Sequence, residues 1–551
     1  MSTKRKLGML ALVAMLTAAL AAGCSGNETK ENGTGNTGGN AMGENASENG
    51  SNSGAKKEEK QLKELSIFAE LSGHLSSTGK SNNDNLVFQE MEKRTGVKVD
   101  WMHPPTGQAN EKFNLMLSSG ELPDVIMYGF KGLPGGAAKL ADDGAIIPLN
   151  DLIEEHAPNF KRYLDDNPQL LKEIASEDGQ IYNLSMLRMD PALRIYVGPQ
   201  LRKDWLDALE LPVPTTIDEL YTTLKAFKEQ DPNGNGEQDE IPYSGSKFKD
   251  TIFAVGKLLW PFGSHFDFMV KDGQVTYGPL EPEFKEGMAF INKLYNEGLL
   301  DPDYVLLDRS KLDNKVMADK VGAMYHFQMQ KFMTTMAEKD PEFKLVAMPH
   351  LTGPSGQQLV FESAYTDISV PSFSIAITTA NKHPEETMEW LDYAFSEEGN
   401  MLFNFGVEGL TYEMKDGKPV YTDVIMNNKD GLSISQAMGK YIKALTGWPM
   451  AQDVEYFNQM MPDFSVEAIN IWKDVSTASI LPILSYTAEE DKQQAKLLAE
   501  IATYADEMFD KFVMGIEPLE KYDDFVSQLK KMGIEEAIAI KQAAYDRYMN
   551  K

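Results

Sequence analysis

The sequence predicts an α/β fold organised on a parallel sheet, and three features carry that expectation. Residues 65–70 (Leu-Ser-Ile-Phe-Ala-Glu) read as a strand, a polar loop and a helical stretch at 85–94 follow, and Val97-Lys98-Val99-Asp100-Trp101 is strand-like again. A β-loop-α-β start needs a crossover and so implies parallel strands. A second helix ends at Gly120 and leads through Glu121-Leu122-Pro123 into the strand Asp124-Val125-Ile126-Met127-Tyr128, closed by Gly129, after which the pattern repeats.

The first element in chain order is an export signal. Lys4, Arg5 and Lys6 precede an apolar stretch over 7–22, broken only by Gly8 and Thr17. The run Leu20-Ala21-Ala22-Gly23-Cys24 resembles a bacterial lipobox, with Ala21 standing where leucine is favoured. That resemblance implies cleavage of a signal peptide (1–23) and diacylglyceryl attachment to Cys24, placing the body on the outer face of the cell membrane. A plain signal peptide with a free thiol, or a short membrane anchor, is the alternative. Residues 25–61 are Gly, Asn, Ser, Glu and Lys with few apolar side chains to offset ordering entropy, so 24–62 is expected to be a disordered lipidated linker.

Composition narrows the function. With 83 acidic against 53 basic residues and a net charge of -30, the chain lacks the cationic surplus that neutralises phosphates, which argues against a nucleic-acid partner. Cys24 is the one cysteine, so no intramolecular disulfide is available and stability rests on core burial and any bound ion.

Further along, Asp-Gly pairs at 178–179, 272–273 and 416–417 sit between strand-like residues and predict hairpins. Thr216-Ile217-Asp218-Glu219 and Thr487-Ala488-Glu489-Glu490 fit capping boxes. Behind the second, Leu497, Ile501, Ala505, Met508 and Phe512 form a core-facing stripe that stops at Gly515.

Four segments carry a resemblance: Ser119-Gly120-Glu121-Leu122-Pro123-Asp124-Val125; Arg202-Lys203-Asp204-Trp205-Leu206 with Pro214-Thr215-Thr216; Asn296-Glu297-Gly298-Leu299; and Gly406-Val407-Glu408-Gly409. The chain resembles an extracellular solute-binding lipoprotein of a carbohydrate ABC importer, similar to the alginate-binding proteins. This implies a two-lobe, periplasmic-binding-protein-like fold with a ligand cleft between lobes, a monomeric body, an oligosaccharide ligand and ABC permease partners. The lobes are expected at 63–193 with 370–430, and at 194–369 with 431–551. Crossings are expected at 194–198, 369–378 and between 410 and 484.

Asp231, Asn233, Asn235 and Asp239 occupy positions 1, 3, 5 and 9 of a loop with Gly236 at position 6, the spacing of an EF-hand. Position 12 is Pro242, which cannot supply the usual bidentate carboxylate. By resemblance to the alginate-binding family, Asp239 and Glu240 both coordinate, with the Glu237 carbonyl, and the ion is a structural Ca2+. A turn that binds nothing is the alternative.

Ligands of open α/β sheets sit beyond the carboxyl ends of strands, which singles out Glu70 and Tyr128. Trp260 and Trp448, each flanked by Gly and Pro, are placed on loops where a ring is available to a sugar, with core packing as the alternative. Tyr325 and Glu408 are further candidates, whereas Trp205 and Trp390 lie in helical apolar patterns and are expected in the core.

No catalytic role is expected. Residues 73–81 (Gly-His-Leu-Ser-Ser-Thr-Gly-Lys-Ser) miss the P-loop spacing by one residue, Ser77 with Lys80 is a bare Ser-x-x-Lys, and the histidines are scattered. A surface glycan hydrolase or lyase, needing only two suitably spaced carboxylates, stays open, as does a binding protein that serves a membrane sensor.

Overall fold

The computed structural model describes residues 62–550, apart from 196, 250, 251, 328, 355, 357 and 362–365. The signal sequence, Cys24 and the linker to residue 61 lie outside the described residues. The strands are β1 (Glu64–Phe68), β2 (Lys98–Met102), β3 (Val125–Tyr128), β4 (Leu184–Leu187), β5 (Val197–Arg202), β6 (Ile241–Tyr243), β7 (Phe268–Lys271), β8 (Gln274–Tyr277), β9 (Val321–Phe327), β10 (Leu345–Ala347), β11 (Ser369–Ile377), β12 (Tyr412–Lys415) and β13 (Lys418–Tyr421).

Two sheets organise the body, and the elements around each form a lobe. The first has the order β2-β1-β3-β11-β4. β1 runs parallel to both β2 and β3, as the opening of the sequence requires, and β11 runs antiparallel to β3 and β4. Leu65, Ile67, Val125 and Ile126 are fully buried in it. The second sheet is β10-β5-β9-β6, antiparallel except for the β6–β9 pair. Since β4 belongs to the first sheet and β5 to the second, the chain crosses between them after Leu187 and before Val197.

Two of the three expected hairpins form, β7–β8 across Asp272-Gly273 and β12–β13 across Asp416-Gly417. Asp178-Gly179 makes a turn, with Gly179 N–H donating to the Ser176 carbonyl, but no hairpin. Its upstream flank is the helix Pro168–Ile174, and β4 downstream pairs with β11 instead. Both capping boxes are present, at Thr216 with Glu219 and Thr487 with Glu490. In the second, Ile501, Ala505, Met508 and Phe512 enter the core of the second lobe as the stripe requires.

The return path differs from expectation. Residues 369–378 were read as a crossing, but 369–377 are β11; the chain leaves the second sheet after Ala347 and has joined the first by Ser369. Residues from 431 onward were expected in the second lobe, yet Ala437, Met438, Trp448 and Phe457 pack in the core of the first. The helix Asp463–Trp472 reaches the second sheet, where Trp472 Nε1 donates to the Met348 carbonyl at 3.0 Å. A Cβ on Gly198 of β5 would stand 2.1 Å from the Trp472 ring, so glycine is what allows this approach. Among the described residues no helix is long and apolar enough to cross a membrane.

Candidate ligand site and cation loop

The carboxyl ends of β1 and β3, the amino end of β11 and the carboxyl end of β4 lie on one side of the first sheet, as their registers require. Two cavities of 390 and 470 Å³ open there and share Glu173, Ser369 and Pro371. The first lobe contributes 130–142 behind β3, the end of the helix Pro168–Ile174 and the start of β11; the facing wall comes from 477–491 and the C-terminal helix Ile534–Met549. That helix packs on the second lobe, with Ile534 and Ala537 in its core. Ligand enclosed here would touch both lobes.

Aromatic surface comes from the part-exposed Tyr545 and Tyr486; Tyr548, whose ring stacks on Tyr545 at 16° with centroids 6.5 Å apart, and Phe130 are themselves buried and back the wall. Rings of this kind offer sugars a flat apolar wall with a polar tip. Polar groups are concentrated at Glu173 and Asp367. Burial, reinforced by Asp367, pushes the Glu173 carboxyl up to about 7 against the opposing pull of backbone N–H donors and Lys131. Its Oε2 accepts the Ser369 N–H at 2.9 Å. Burial also raises Asp367, despite Lys131 and Arg194, and its buried Oδ2 has no hydrogen-bond partner among the described residues. Arg188 is turned to Gln452, whose Oε1 accepts from its Nε at 2.9 Å.

Contacts close the two walls on one another. Gln169 Nε2 donates to Tyr548 Oη at 2.5 Å, Lys172 Nζ donates to the Met549 carbonyl at 2.9 Å, and Arg547 pairs with Glu177 as well as with Glu490, the latter at 2.7 Å.

The residues singled out by sequence fall elsewhere, and none lines either cavity. Glu70 is exposed at the end of β1 and acts electrostatically on Tyr128, which is half-buried, stacks on Phe113 at 3.9 Å and donates to Asn110 Oδ1. Trp260 and Tyr325 are brought together in the second lobe, ring centroids 5.5 Å apart, and both are buried. Tyr325 Oη meets His350 Nδ1 at 3.0 Å, and burial drives His265 and His350 down to about 3, so both imidazoles are neutral. Trp260 Nε1, Ser264 Oγ, His265 Nε2 and His350 Nε2 are buried polar atoms without partners among the described residues. Trp448 is 1% exposed, enclosed by Phe88, Trp101, Trp390 and Phe403, which makes it a core residue here. Glu408 is exposed on the turn before β12. The P-loop-like segment folds on itself, with the backbone N–H groups of Lys80 and Ser81 both donating to Asp84 Oδ2. Tyr545, Tyr548, Glu173 and Asp367 escaped sequence reasoning; two tyrosines three apart on one helix face were the available signal.

The loop after the helix Ile217–Glu229 has the internal bonding an ion-binding loop needs. Asp231, at φ 45°, accepts the N–H groups of Asn235 and Gly236 on its two oxygens, and Asn235 Oδ1 accepts the Glu237 N–H. Asp239 is held by Lys320 at 2.8 Å and by Asn235 Nδ2 at 3.1 Å. Glu240 Oε1 is buried without a partner among the described residues, and burial with the fields of Asp231 and Asp239 raises its carboxyl. Among the described residues no three His, Cys, Asp or Glu side chains alone stand close enough to hold a metal, so amide and backbone oxygens would have to complete a shell. An acidic, partnerless oxygen in a hard-oxygen loop fits Ca2+.

The chain is 29% identical over 514 residues to the fructooligosaccharide ABC transporter substrate-binding protein FusA of Streptococcus pneumoniae serotype 4, covering 89% of this chain and 91% of that one. It is 28% identical to lipoprotein LipO of Bacillus subtilis, with 94% of each covered. Among solved structures, alginate-binding protein AlgQ2 without calcium ion superposes with a TM-score of 0.64 at 28% identity, covering 89% of this chain and 98% of that one. FusA in complex with kestose gives 0.67 at 27%, and an EF-hand mutant of FusA in complex with fructo-nystose gives 0.66 at 27%, each covering 89% of this chain and all of theirs. These likenesses establish the two-lobed fold of solute-binding proteins. The profile of the bacterial extracellular solute-binding proteins matches residues 79–401, more than half of the chain, and the chain therefore belongs to that family.

Proposed function

We propose that this protein is a lipid-anchored extracellular substrate-binding subunit that captures an oligosaccharide between its lobes and delivers it to the permease of an ABC importer. The observation that carries the reading is the pair of cavities walled by both lobes, with Tyr545 and Tyr486 on one side and carboxyl groups on the other. A ligand touching both walls favours the closed arrangement by its differential contacts and so presents one surface to the permease. Relatives named for fructooligosaccharide binding support a sugar. The lipidated Cys24 would tether the body and raise its effective concentration at the permease. Sheet membership and packing support lobes of 63–193 with 369–460 and 197–347 with 488–550, with the helix Asp463–Trp472 reaching the second sheet.

Ca2+ would be held by Asp231, Asn233, Asn235, Asp239, Glu240 and the Glu237 carbonyl. When bound it neutralises the clustered carboxylates and fixes the path from the preceding helix into β6. The EF-hand designation of the FusA mutant and the description of AlgQ2 by its missing calcium support this site.

The neighbouring acids Glu173 and Asp367, one held near neutrality, are also what a glycan hydrolase would use as acid and base. A thermal-melt screen of residues 63–551 against oligosaccharides, with chromatography of each sugar afterwards, separates the readings. A stabilising sugar recovered intact is the expected result; a cleaved one overturns the transport reading.

A further inference from the structure

We infer that Glu173 and Asp367 act as a charge filter in the inter-lobe site, admitting neutral oligosaccharides and excluding uronic-acid ones. The inference rests on the oligosaccharide-binding reading and goes beyond it by fixing ligand charge. Its starting point is geometric. Glu173 is common to both cavities, so a ligand filling either one meets it. Asp367 lines the larger cavity, and its buried Oδ2 has no hydrogen-bond partner among the described residues. An ionised carboxylate is acceptor-only, so the two acids that line the site favour ligand groups that donate. A sugar hydroxyl donates; a uronate carboxylate does not.

Charge points the same way. Each of the two acids is held above its ordinary range by burial, and Asp367 adds to the rise at Glu173. Lys131 pulls against both rises without overcoming either, and Arg194 does the same at Asp367. In the larger cavity Arg194 and the Gln452-bound Arg188 match the two acids in number, but in the smaller one the two lysines are outnumbered by carboxylates, and a ligand carboxylate there would meet a shortfall of cations. Lys139, on the rim of the smaller cavity, is paired with Asp143, and Asp142, Asp178 and Asp491 add further acid there. Like charges brought together in a partly dry site disfavour binding, and such repulsion is an economical route to specificity. Neutral glycans escape it while retaining the tyrosine wall.

The test is isothermal titration at pH 8 of the mature chain, using neutral probes (kestose, nystose, xylotetraose, arabinotetraose) and acidic ones (trigalacturonate, trimannuronate). Wild type is expected to bind at least one neutral probe at least tenfold more tightly than either acidic one. Glu173→Gln with Asp367→Asn, and Glu173→Gln alone as a milder variant, should lower that ratio at least tenfold, with unchanged far-UV circular dichroism confirming folding. Acidic probes bound by wild type as tightly as neutral ones, or a ratio unmoved by both variants, would overturn the filter while leaving oligosaccharide capture standing. No heat from either class would instead overturn the oligosaccharide reading, and the filter with it.

Discussion

An amine stands in the apolar core of the first lobe. Lys443 is 3% exposed, its Nζ lies 5.3 Å over the Phe88 ring, and burial drives it down to about 7. Its folded value is depressed, so its contribution to stability is intact above the unfolded value near 10.5 and is lost as pH falls toward 7. Lys443→Met should therefore stabilise the protein at pH 7 by on the order of 3 kcal/mol, with the gain shrinking toward pH 10. Melting curves at the two pH values measure it, and equal gains at both would refute the burial account. Lys443 follows Ile442 in a stretch with no sequence signal of burial, and Trp448 shows why. Its Gly and Pro neighbours correctly mark a loop, but a loop assignment describes irregular backbone and says nothing about exposure. Trp205 and Trp390 were legible because helical periodicity encodes a buried face, and both are buried.

At the scale of elements, the loop between the helix Ile217–Glu229 and β6 is the piece most open to solution conditions. Removing calcium with chelator should lower the melting temperature by several degrees, and Asp231→Ala should give the lowered value with or without calcium. At a dissociation constant near 0.1 to 1 mM the stabilisation by 10 mM ion is about 1.4 to 2.7 kcal/mol. A melting temperature indifferent to calcium in the wild type would remove the ion from the account. This loop could be proposed from sequence because the chemistry it would need is confined to ten consecutive residues. The Asp178-Gly179 turn was misread as a hairpin because pairing is a property of two strands, and β4 finds its partner in β11, far along the chain. The cavity walls share that difficulty: Glu173, Asp367 and Tyr548 come from three distant segments, and no local pattern announces their meeting.

For the whole molecule, the C-terminal helix is placed to set the balance between open and closed lobes. Arg547, Tyr548 and the Met549 carbonyl all reach the first lobe. Arg547→Ala with Tyr548→Phe should weaken that contact, and small-angle scattering of the ligand-free protein should show an increased radius of gyration. Affinity for the ligand should fall about three- to tenfold, since closure contributes less. An unchanged radius would mean that the lobes are held by other contacts. The parallel opening of the first sheet was legible from residues 64–128, whereas lobe membership after residue 369 was not, because it depends on which sheet a returning strand joins. That return has a kinetic consequence. All four strands of the second sheet lie within residues 197–347 and can pair as soon as they are available, but β3 and β4 wait for β11. Long loop closure makes such pairing slow. A chain leaving the cell amino terminus first thus cannot complete its leading sheet until more than two thirds of it has emerged, whereas the second sheet, which begins later, is whole sooner.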